Sequence, residues 1–198
     1  LRMRMSMYYM NMVLRDDWDK PFALPGSLLD RIDDVNRVRG LNSKPDSFPA
    51  DCQWRTLDQA GCEYKPHVLA FPAGTTVEIL NPDGILHNVH ALPKVNRSFT
   101  KPMPPTMKET TATFDKPEPV FQIKCDVHPW MLAYVGVFTH PFFSVTQANG
   151  KFTISGLDPG TYEITAWHER LGTQTATVTV GANDTKTQDF KFTTPGGK

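Results

Sequence analysis

The chain lacks an excess of charge of either sign, since its 198 residues include 21 basic and 21 acidic side chains and its formal net charge is zero. This balance indicates neither a nucleic acid nor an anionic membrane as a partner. A continuous run of about eighteen apolar residues is also missing, so we expect no transmembrane segment. Cysteine is scarce, with three residues, but the chain is long enough to form a core without disulfide staples.

Proline and glycine, in contrast, are abundant, with seventeen prolines and thirteen glycines. They divide the chain into short segments, as in folds whose strands are joined by tight turns. After Gly61 the apolar residues alternate or cluster between such turns, which predicts an all-β fold of the sandwich or barrel type. The strands expected in this central region span residues 67–71, 75–80, 88–92, 110–114, 120–124 and 133–138.

A second group of short strands is expected after residue 139. These strands span residues 142–145, 151–154, 162–167, 174–180 and 186–192. A region of roughly fifty-five residues is small for an independent sandwich, so we expect it to borrow a strand from elsewhere. The segment 3–14, in which methionines alternate with other residues, is the expected donor.

The first sixty residues contain one helical pattern, over residues 27–38. Ser27 is a suitable N-cap, an apolar stripe follows it, and Gly40 ends the helix. Residues 41–60 show little periodicity and are expected to form a loop. We therefore expect an N-terminal segment over residues 1–60, a first β domain over residues 61–138 and a second over residues 139–194.

The three cysteines are an odd number, so one of them is expected to have a separate role. We assign that role to Cys125, which leaves Cys52 and Cys62 with nine residues between them. A disulfide between these two would place the protein outside the cytoplasm. The alternative is a pair of reduced, partly buried thiols.

The segment Cys125-Asp126-Val127-His128-Pro129-Trp130-Met131 contains the strongest chemical signal. It offers a thiolate, an imidazole and a thioether in one loop, each separated from the next by two residues. A thiolate, two imidazoles and a weak axial methionine are the ligands of a type 1 (blue) copper centre. The second imidazole must come from elsewhere, and His87, in Leu86-His87-Asn88-Val89-His90, is the candidate.

Three other chemistries explain fewer of these residues. A structural zinc site needs a second pair of cysteine or histidine ligands, and the sequence has none of similar spacing. A multicopper oxidase needs more histidines than the six present. Cys125 as a nucleophile with His128 as its base is conceivable, but the loop offers no recognisable oxyanion site. We expect no enzymatic activity and a metal site of His87, Cys125, His128 and Met131, with Met131 the most variable position.

Residues 61–138 resemble the cupredoxins of the amicyanin and plastocyanin types. The resemblance lies in His-Asn-Val-His at residues 87–90, in Cys-x-x-His-Pro-x-Met at residues 125–131 and in Phe-Pro-Ala-Gly-Thr-Thr-Val at residues 71–77. It implies a Greek-key β-sandwich with one type 1 copper, in which His87 rather than His90 is a ligand. It also implies that His128 is the ligand nearest solvent, within an apolar face that receives a redox partner.

Residues 140–192 resemble carboxypeptidase regulatory-like (transthyretin-like) β-sandwich modules. The resemblance lies in Gly-Lys-Phe-Thr-Ile at residues 150–154 and Gly-Leu-Asp-Pro-Gly-Thr-Tyr at residues 156–162, which are structural motifs in such modules. The two resemblances together are typical of secreted bacterial proteins. They imply an all-β chain with a cupredoxin Greek-key sandwich, a second small β-sandwich and one short N-terminal helix.

The function expected from this reading is the transport of single electrons by copper in the periplasm or at the cell surface. A redox protein, such as a c-type cytochrome or an oxidoreductase complex, would be the partner. The alternative is an accessory binding or structural subunit of a larger extracytoplasmic assembly, in which copper is structural or absent. A visible spectrum separates the two, because only a blue copper carrier must show the intense copper–thiolate band.

Overall fold

The computed structural model describes residues 9–14, 55–140, 142–146 and 148–193. The expected helix over residues 27–38 lies outside these residues, and so does Cys52. The described part of the chain consists of strands and their connections, which confirms the expected all-β fold. None of it forms a helix long and apolar enough to span a bilayer.

Thirteen strands are present in the described part of the chain. They are β1 (Tyr9–Leu14), β2 (Thr56–Gln59), β3 (Tyr64–Lys65), β4 (Val68–Pro72), β5 (Thr76–Leu80), β6 (His87–Leu92), β7 (Phe99–Met103), β8 (Glu109–Thr113), β9 (Glu118–Lys124), β10 (Leu132–Phe138), β11 (Phe143–Val145), β12 (Gly160–His168) and β13 (Gly172–Val180).

Two of the three sheets face each other across the main core. A five-stranded sheet has the order β4-β10-β9-β6-β7, and a four-stranded sheet has the order β3-β2-β5-β8. Alternate residues of both sheets point into the space between them, so that Leu57 and Ile79 from one sheet and Val89, Ile123 and Val135 from the other are almost fully buried. This arrangement is a β-sandwich, in which the apolar inner faces supply most of the stabilisation.

The third sheet has the order β11-β1-β12-β13, with β1 antiparallel to both β11 and β12. The N-terminal strand thus lies inside the sheet formed by the C-terminal region. One face of this sheet buries Tyr162, Ile164 and Ala166. A separate apolar cluster, which includes Val68 and Phe138 of the five-stranded sheet together with Val145, joins the third sheet to the outer face of the main sandwich.

The strand predictions were wrong at five places. Strands β2, β3 and β7 were not expected. Strands β2 and β3 are short, and β2 buries the polar Gln59. Strand β7 contains a proline and lies at a sheet edge. Residues 151–154 and 186–192, expected as strands, have irregular backbones. Their alternating apolar side chains still pack on the third sheet, so the pattern indicated the buried face correctly and the hydrogen bonding wrongly.

Candidate metal centre

Two elements bring the expected ligands together at one end of the sandwich. His87 is the first residue of β6, and its side chain is fully buried. Cys125 follows β9 directly, and His128 and Met131 lie in the loop that leads to β10. Two backbone hydrogen bonds close this loop, from the Cys125 N–H to the Met131 oxygen at 3.2 Å and from the Met131 N–H to the His128 oxygen at 2.9 Å.

His128 contacts both His87 and Cys125, whereas the ligand atoms of the described residues that all lie within 4.8 Å of one another belong to Cys62, His87 and His128. The two histidine Nδ1 atoms are 3.0 Å apart, and the Cys125 Sγ atom is 3.7 Å from Nδ1 of His128. Nε2 of His87 lies 3.0 Å from the Asp83 carboxylate, which can only accept a hydrogen bond when ionised. In the tautomer that donates from Nε2 to Asp83, the Nδ1 lone pair of His87 faces His128.

Burial separates the four expected ligands into an inner group and an outer one. His87, Cys125 and Met131 are each at most 1% exposed, whereas His128 is half-buried. Met131 belongs to the same core cluster as Cys125. A thiolate, two imidazole nitrogens and a thioether are donors that suit copper, so the residues present fit this metal.

Asp83 is a part of the site that the sequence motifs did not indicate. Its carboxylate accepts hydrogen bonds from the Gly61 and Cys62 backbone N–H groups at 2.7 and 2.9 Å, besides its contact with His87. Burial opposes the ionisation of Asp83, but these hydrogen bonds outweigh it and lower the pKa of the carboxyl group. The available sequence signal for Asp83 was the turn Asn81-Pro82-Asp83-Gly84, in which Asp83 lies four residues before His87.

Asn88 fixes the ligand loop to β6 by two hydrogen bonds. Its Oδ1 atom accepts from the Asp126 N–H at 2.6 Å, and its Nδ2 atom donates to the Asp126 carboxylate at 2.8 Å. His90 contacts the same carboxylate at 2.9 Å, on the exposed side. The hydrogen bonds from His90 and Asn88 lower the pKa of Asp126 to about 2. His90 therefore binds the loop from outside, in keeping with the expectation that it is not a ligand.

Tyr64 is a second residue that the motifs did not indicate. Its hydroxyl lies 2.8 Å from the Asn88 carbonyl and 3.2 Å from the Lys124 carbonyl, and it donates to these two backbone oxygens. Each acceptor is next to one of the expected ligands, His87 or Cys125. Burial, followed by the nearby Cys125 and Asp126 charges, raises the pKa of Tyr64, so the hydroxyl remains a donor at physiological pH.

A second cysteine also lies at the site. One ligand atom from each of Cys62, His87 and His128 lies within 4.8 Å of the other two, and such a group is able to hold a metal ion. Cys62 is half-buried and has a free thiol. Since Cys52 lies outside the described residues and Cys62 is unbonded, the structure does not bear out the expected disulfide between them.

Several large apolar side chains that are close in sequence to His87 or His128 are exposed. Ile85, Leu86, Val127 and Trp130 are between 41% and 67% exposed, with Trp130 the most exposed. The Trp130 ring packs against the His128 ring at a centroid distance of 5.3 Å. Large apolar side chains in such a position mark a surface for contact with another molecule.

The remaining histidines have other partners. His67 bridges the Leu132 carbonyl and the Glu169 carboxylate, at 3.0 and 2.5 Å. His168 is buried at the end of β12, where its Nδ1 accepts from the Arg170 N–H. Burial lowers the pKa of both His140 and His168, which keeps these rings neutral.

Comparisons with known proteins find likeness for both parts of the chain. The family model of the carboxypeptidase regulatory-like domain matches residues 134–193. No curated protein matches the sequence. Among solved structures, a copper-containing nitrite reductase from Thermus scotoductus SA-01 shares 26% identity at a TM-score of 0.38, over 42% of this chain and 22% of that chain. The chain thus spans about a fifth of the reductase.

Two cupredoxins are also among the similar structures. A purple cupredoxin from Nitrosopumilus maritimus shares 25% identity at a TM-score of 0.36, over 42% of this chain and 98% of that chain. An oxidised amicyanin variant shares 26% identity at a TM-score of 0.38, over 46% of this chain and 86% of that chain. The expected resemblance is thus found in both parts. Since these TM-scores lie below 0.5, the site's own residues must support any function.

Proposed function

We propose that the chain is a mononuclear type 1 copper protein that carries single electrons between redox partners outside the cytoplasm. The observation that supports this most directly is that His128 contacts both His87 and Cys125, with Nδ1–Nδ1 and Sγ–Nδ1 distances of 3.0 and 3.7 Å. In this proposal the side chains of His87, Cys125, His128 and Met131 would hold the copper.

The surrounding residues suit a rapid carrier because they hold the donors in place. Copper bound here would supply the Cu(II)/Cu(I) couple, whose two states prefer different geometries. Asp83 fixes the His87 ring, and Asn88 fixes the loop that begins at Cys125. Tyr64 binds the backbone carbonyls next to His87 and Cys125. Ligands held in this way rearrange little when the charge changes. Four protein donors also leave no open position for a substrate, so we propose a carrier rather than an enzyme.

His128 is the proposed exit for the electron, because it is half-buried whereas the other ligands are inside. The apolar face of Ile85, Leu86, Val127 and Trp130 around it would receive the partner. Desolvation of such a face contributes most of the binding energy in a transient redox complex. A c-type cytochrome or an oxidoreductase complex of the periplasm or cell surface would be the partner.

For the chain as a whole, we propose that residues 61–138 are the electron-carrying domain and residues 139–194 a structural one. The segment 1–60 would contribute β1 to the second domain, while its β2 pairs with β5 in the main sandwich. The antiparallel pairing of β1 with β11 and β12 supports the placement of β1.

The test of the metal centre is the visible spectrum of the copper-loaded full-length chain. The wild type should show an intense copper–thiolate band, and Cys125→Ser should abolish it while leaving the far-ultraviolet circular dichroism unchanged. Cys52→Ser is the matched control, since it removes a thiol outside the proposed ligand set and should leave the band intact. A Cys125→Ser protein that stays blue would contradict the assignment. A colourless wild type with bound copper would favour the alternative function, an accessory binding or structural subunit of a larger assembly.

A further inference from the structure

We infer that Cys62 supplies a second thiolate to the metal held by His87, Cys125 and His128. This inference rests on the proposed function and extends its ligand set. The first observation behind it is proximity, because one ligand atom of each of Cys62, His87 and His128 lies within 4.8 Å of the other two. Cys62 is a free cysteine, and the thiolate form of such a side chain is a strong ligand for copper and zinc.

The backbone at Cys62 is the second observation. Cys62 has a φ of +54°, and Gly61 before it has a φ of +71°. The left-handed region suits glycine, whereas a residue with a side chain adopts it only where the surroundings hold it there. Such residues cluster at functional sites. Here the left-handed turn between β2 and β3 directs a thiol, rather than a hydrogen atom, toward the two histidines.

The third observation is what holds the turn in place. The Asp83 carboxylate accepts from the Gly61 and Cys62 N–H groups at 2.7 and 2.9 Å and contacts Nε2 of His87 at 3.0 Å. One side chain therefore positions both the turn and a proposed ligand. From the other side, the indole N–H of Trp130 donates to the Cys62 carbonyl at 3.0 Å. The thiol is thus fixed relative to His87 through Asp83 and to the ligand loop through Trp130.

The chemistry of the enlarged donor set differs from that of a single-thiolate centre. Two thiolates and two imidazoles are donors that suit copper or zinc. Two thiolates also cancel the charge of a divalent ion, so a second thiolate favours Cu(II) over Cu(I). A disulfide between Cys52 and Cys62 would exclude this role, since a disulfide sulfur is no longer a thiolate.

X-ray absorption of the full-length chain loaded with copper and reduced to Cu(I) tests the inference. We expect two short copper–sulfur bonds in the wild type and one in each of Cys62→Ser and Cys62→Gly. Glycine accepts a φ of +54° without strain, so Cys62→Gly keeps the turn where serine could disturb it. Glu63→Gln, at the exposed neighbouring position, is the control and should retain both bonds.

Alkylation of the native protein followed by peptide mass mapping gives a second readout. Bound Cu(I) should protect the half-buried Cys62 from the reagent, and removal of the metal should make Cys62 reactive. One short copper–sulfur bond in the wild type, lost only in Cys125→Ser, would overturn the role of Cys62 and leave the proposed function standing. Finding Cys62 in a disulfide would also overturn it. A wild type without any short copper–sulfur bond would overturn the proposed function itself.

Discussion

At the scale of single residues, side chains that contact the proposed ligands are expected to hold them in position. A ligating histidine whose second nitrogen donates to a carboxylate has a fixed ring orientation and a more basic lone pair. Asp83 provides this contact for His87 at 3.0 Å and also binds two backbone N–H groups. The loss of such a partner commonly lowers metal affinity about 10- to 100-fold.

Asp83→Asn should therefore weaken copper binding by about 10- to 100-fold, because an amide is a poorer acceptor for the His87 Nε2–H and for the two backbone N–H groups. The measurement is a competition titration with a chromophoric copper chelator. Asp115→Asn, at an exposed position, is the control and should bind copper as the wild type does. Equal affinities in the two variants would show that Asp83 has no part in holding His87.

At the scale of elements, the start of β9 is anchored by a buried carboxylate. Glu118 is 3% exposed, and its two oxygens accept from the N–H groups of Lys94, Val95 and Asn96. Burial opposes ionisation here, but these hydrogen bonds outweigh it and lower the pKa of Glu118 from its usual 4.5. The anchored β9 leads directly into Cys125, so this turn sets the position from which the ligand loop begins.

Because the pKa of Glu118 is lower in the folded state, its contribution to stability is present above pH 4.5 and is lost as the pH falls through the folded-state value. Glu118→Gln should lower the free energy of unfolding at pH 7 by about 1–3 kcal/mol, since three backbone donors lose a charged acceptor. The variant should also lose less stability than the wild type on acidification. Urea unfolding at pH 7 and pH 3.5 measures both effects.

The control for this comparison is Glu109→Gln, because Glu109 is exposed on β8. It should have the stability and the acid dependence of the wild type. If Glu118→Gln were as stable as Glu109→Gln at pH 7, the anchoring role of the carboxylate would be wrong.

At the scale of the whole molecule, the third sheet depends on a strand from the other end of the chain. Met10 in β1 is paired with Ser144 of β11 and with Ala166 of β12. Since this residue has a neighbouring strand on each side, its N–H must point toward one of them. A proline there removes that donor and forces its ring into the middle of a sheet, where proline is not accommodated.

Met10→Pro should therefore reduce the hydrogen-exchange protection of the β12 amides, while the copper–thiolate band of the loaded protein stays unchanged. Amide exchange followed by mass spectrometry measures the first effect, and the visible spectrum the second. Met10→Ala, which keeps the backbone N–H, is the control and should retain the protection. Unchanged protection in Met10→Pro would mean that β1 is dispensable, whereas a lost band would show that the two regions do not behave as separate domains.

The main sandwich and the third sheet are joined by specific contacts. His67, just before β4, contacts Glu169 just after β12 at 2.5 Å, and Tyr134 packs edge-on against Trp167 at 5.1 Å. Leu132, whose carbonyl contacts the same His67 ring at 3.0 Å, follows Met131. The third sheet therefore packs behind the ligand loop, and it buries the outer face of a sheet whose β4 strand is apolar on both sides.

What the sequence determined by itself was local. Cys125, His128 and Met131 share one loop, so their spacing limits how far apart they can lie, and the flanking motif at His87 identified the fourth expected ligand. Alternation of apolar residues predicted most strands of the main sandwich, because a buried sheet face requires a period of two. The same rule failed at β2, where the buried Gln59 interrupts the apolar pattern.

Only the tertiary structure decided which distant residues join the site. Cys62, Asp83 and Tyr64 reach it because the β2–β3 turn, the β5–β6 connection and β3 meet at the same end of the sandwich as the ligand loop. The sequence separations are large, 21 residues between Cys62 and Asp83 and 60 between Tyr64 and Lys124. Contacts over such separations depend on strand order and register, which no local spacing encodes. For that reason the sequence suggested a disulfide for Cys62, whereas the fold places its thiol beside two histidines.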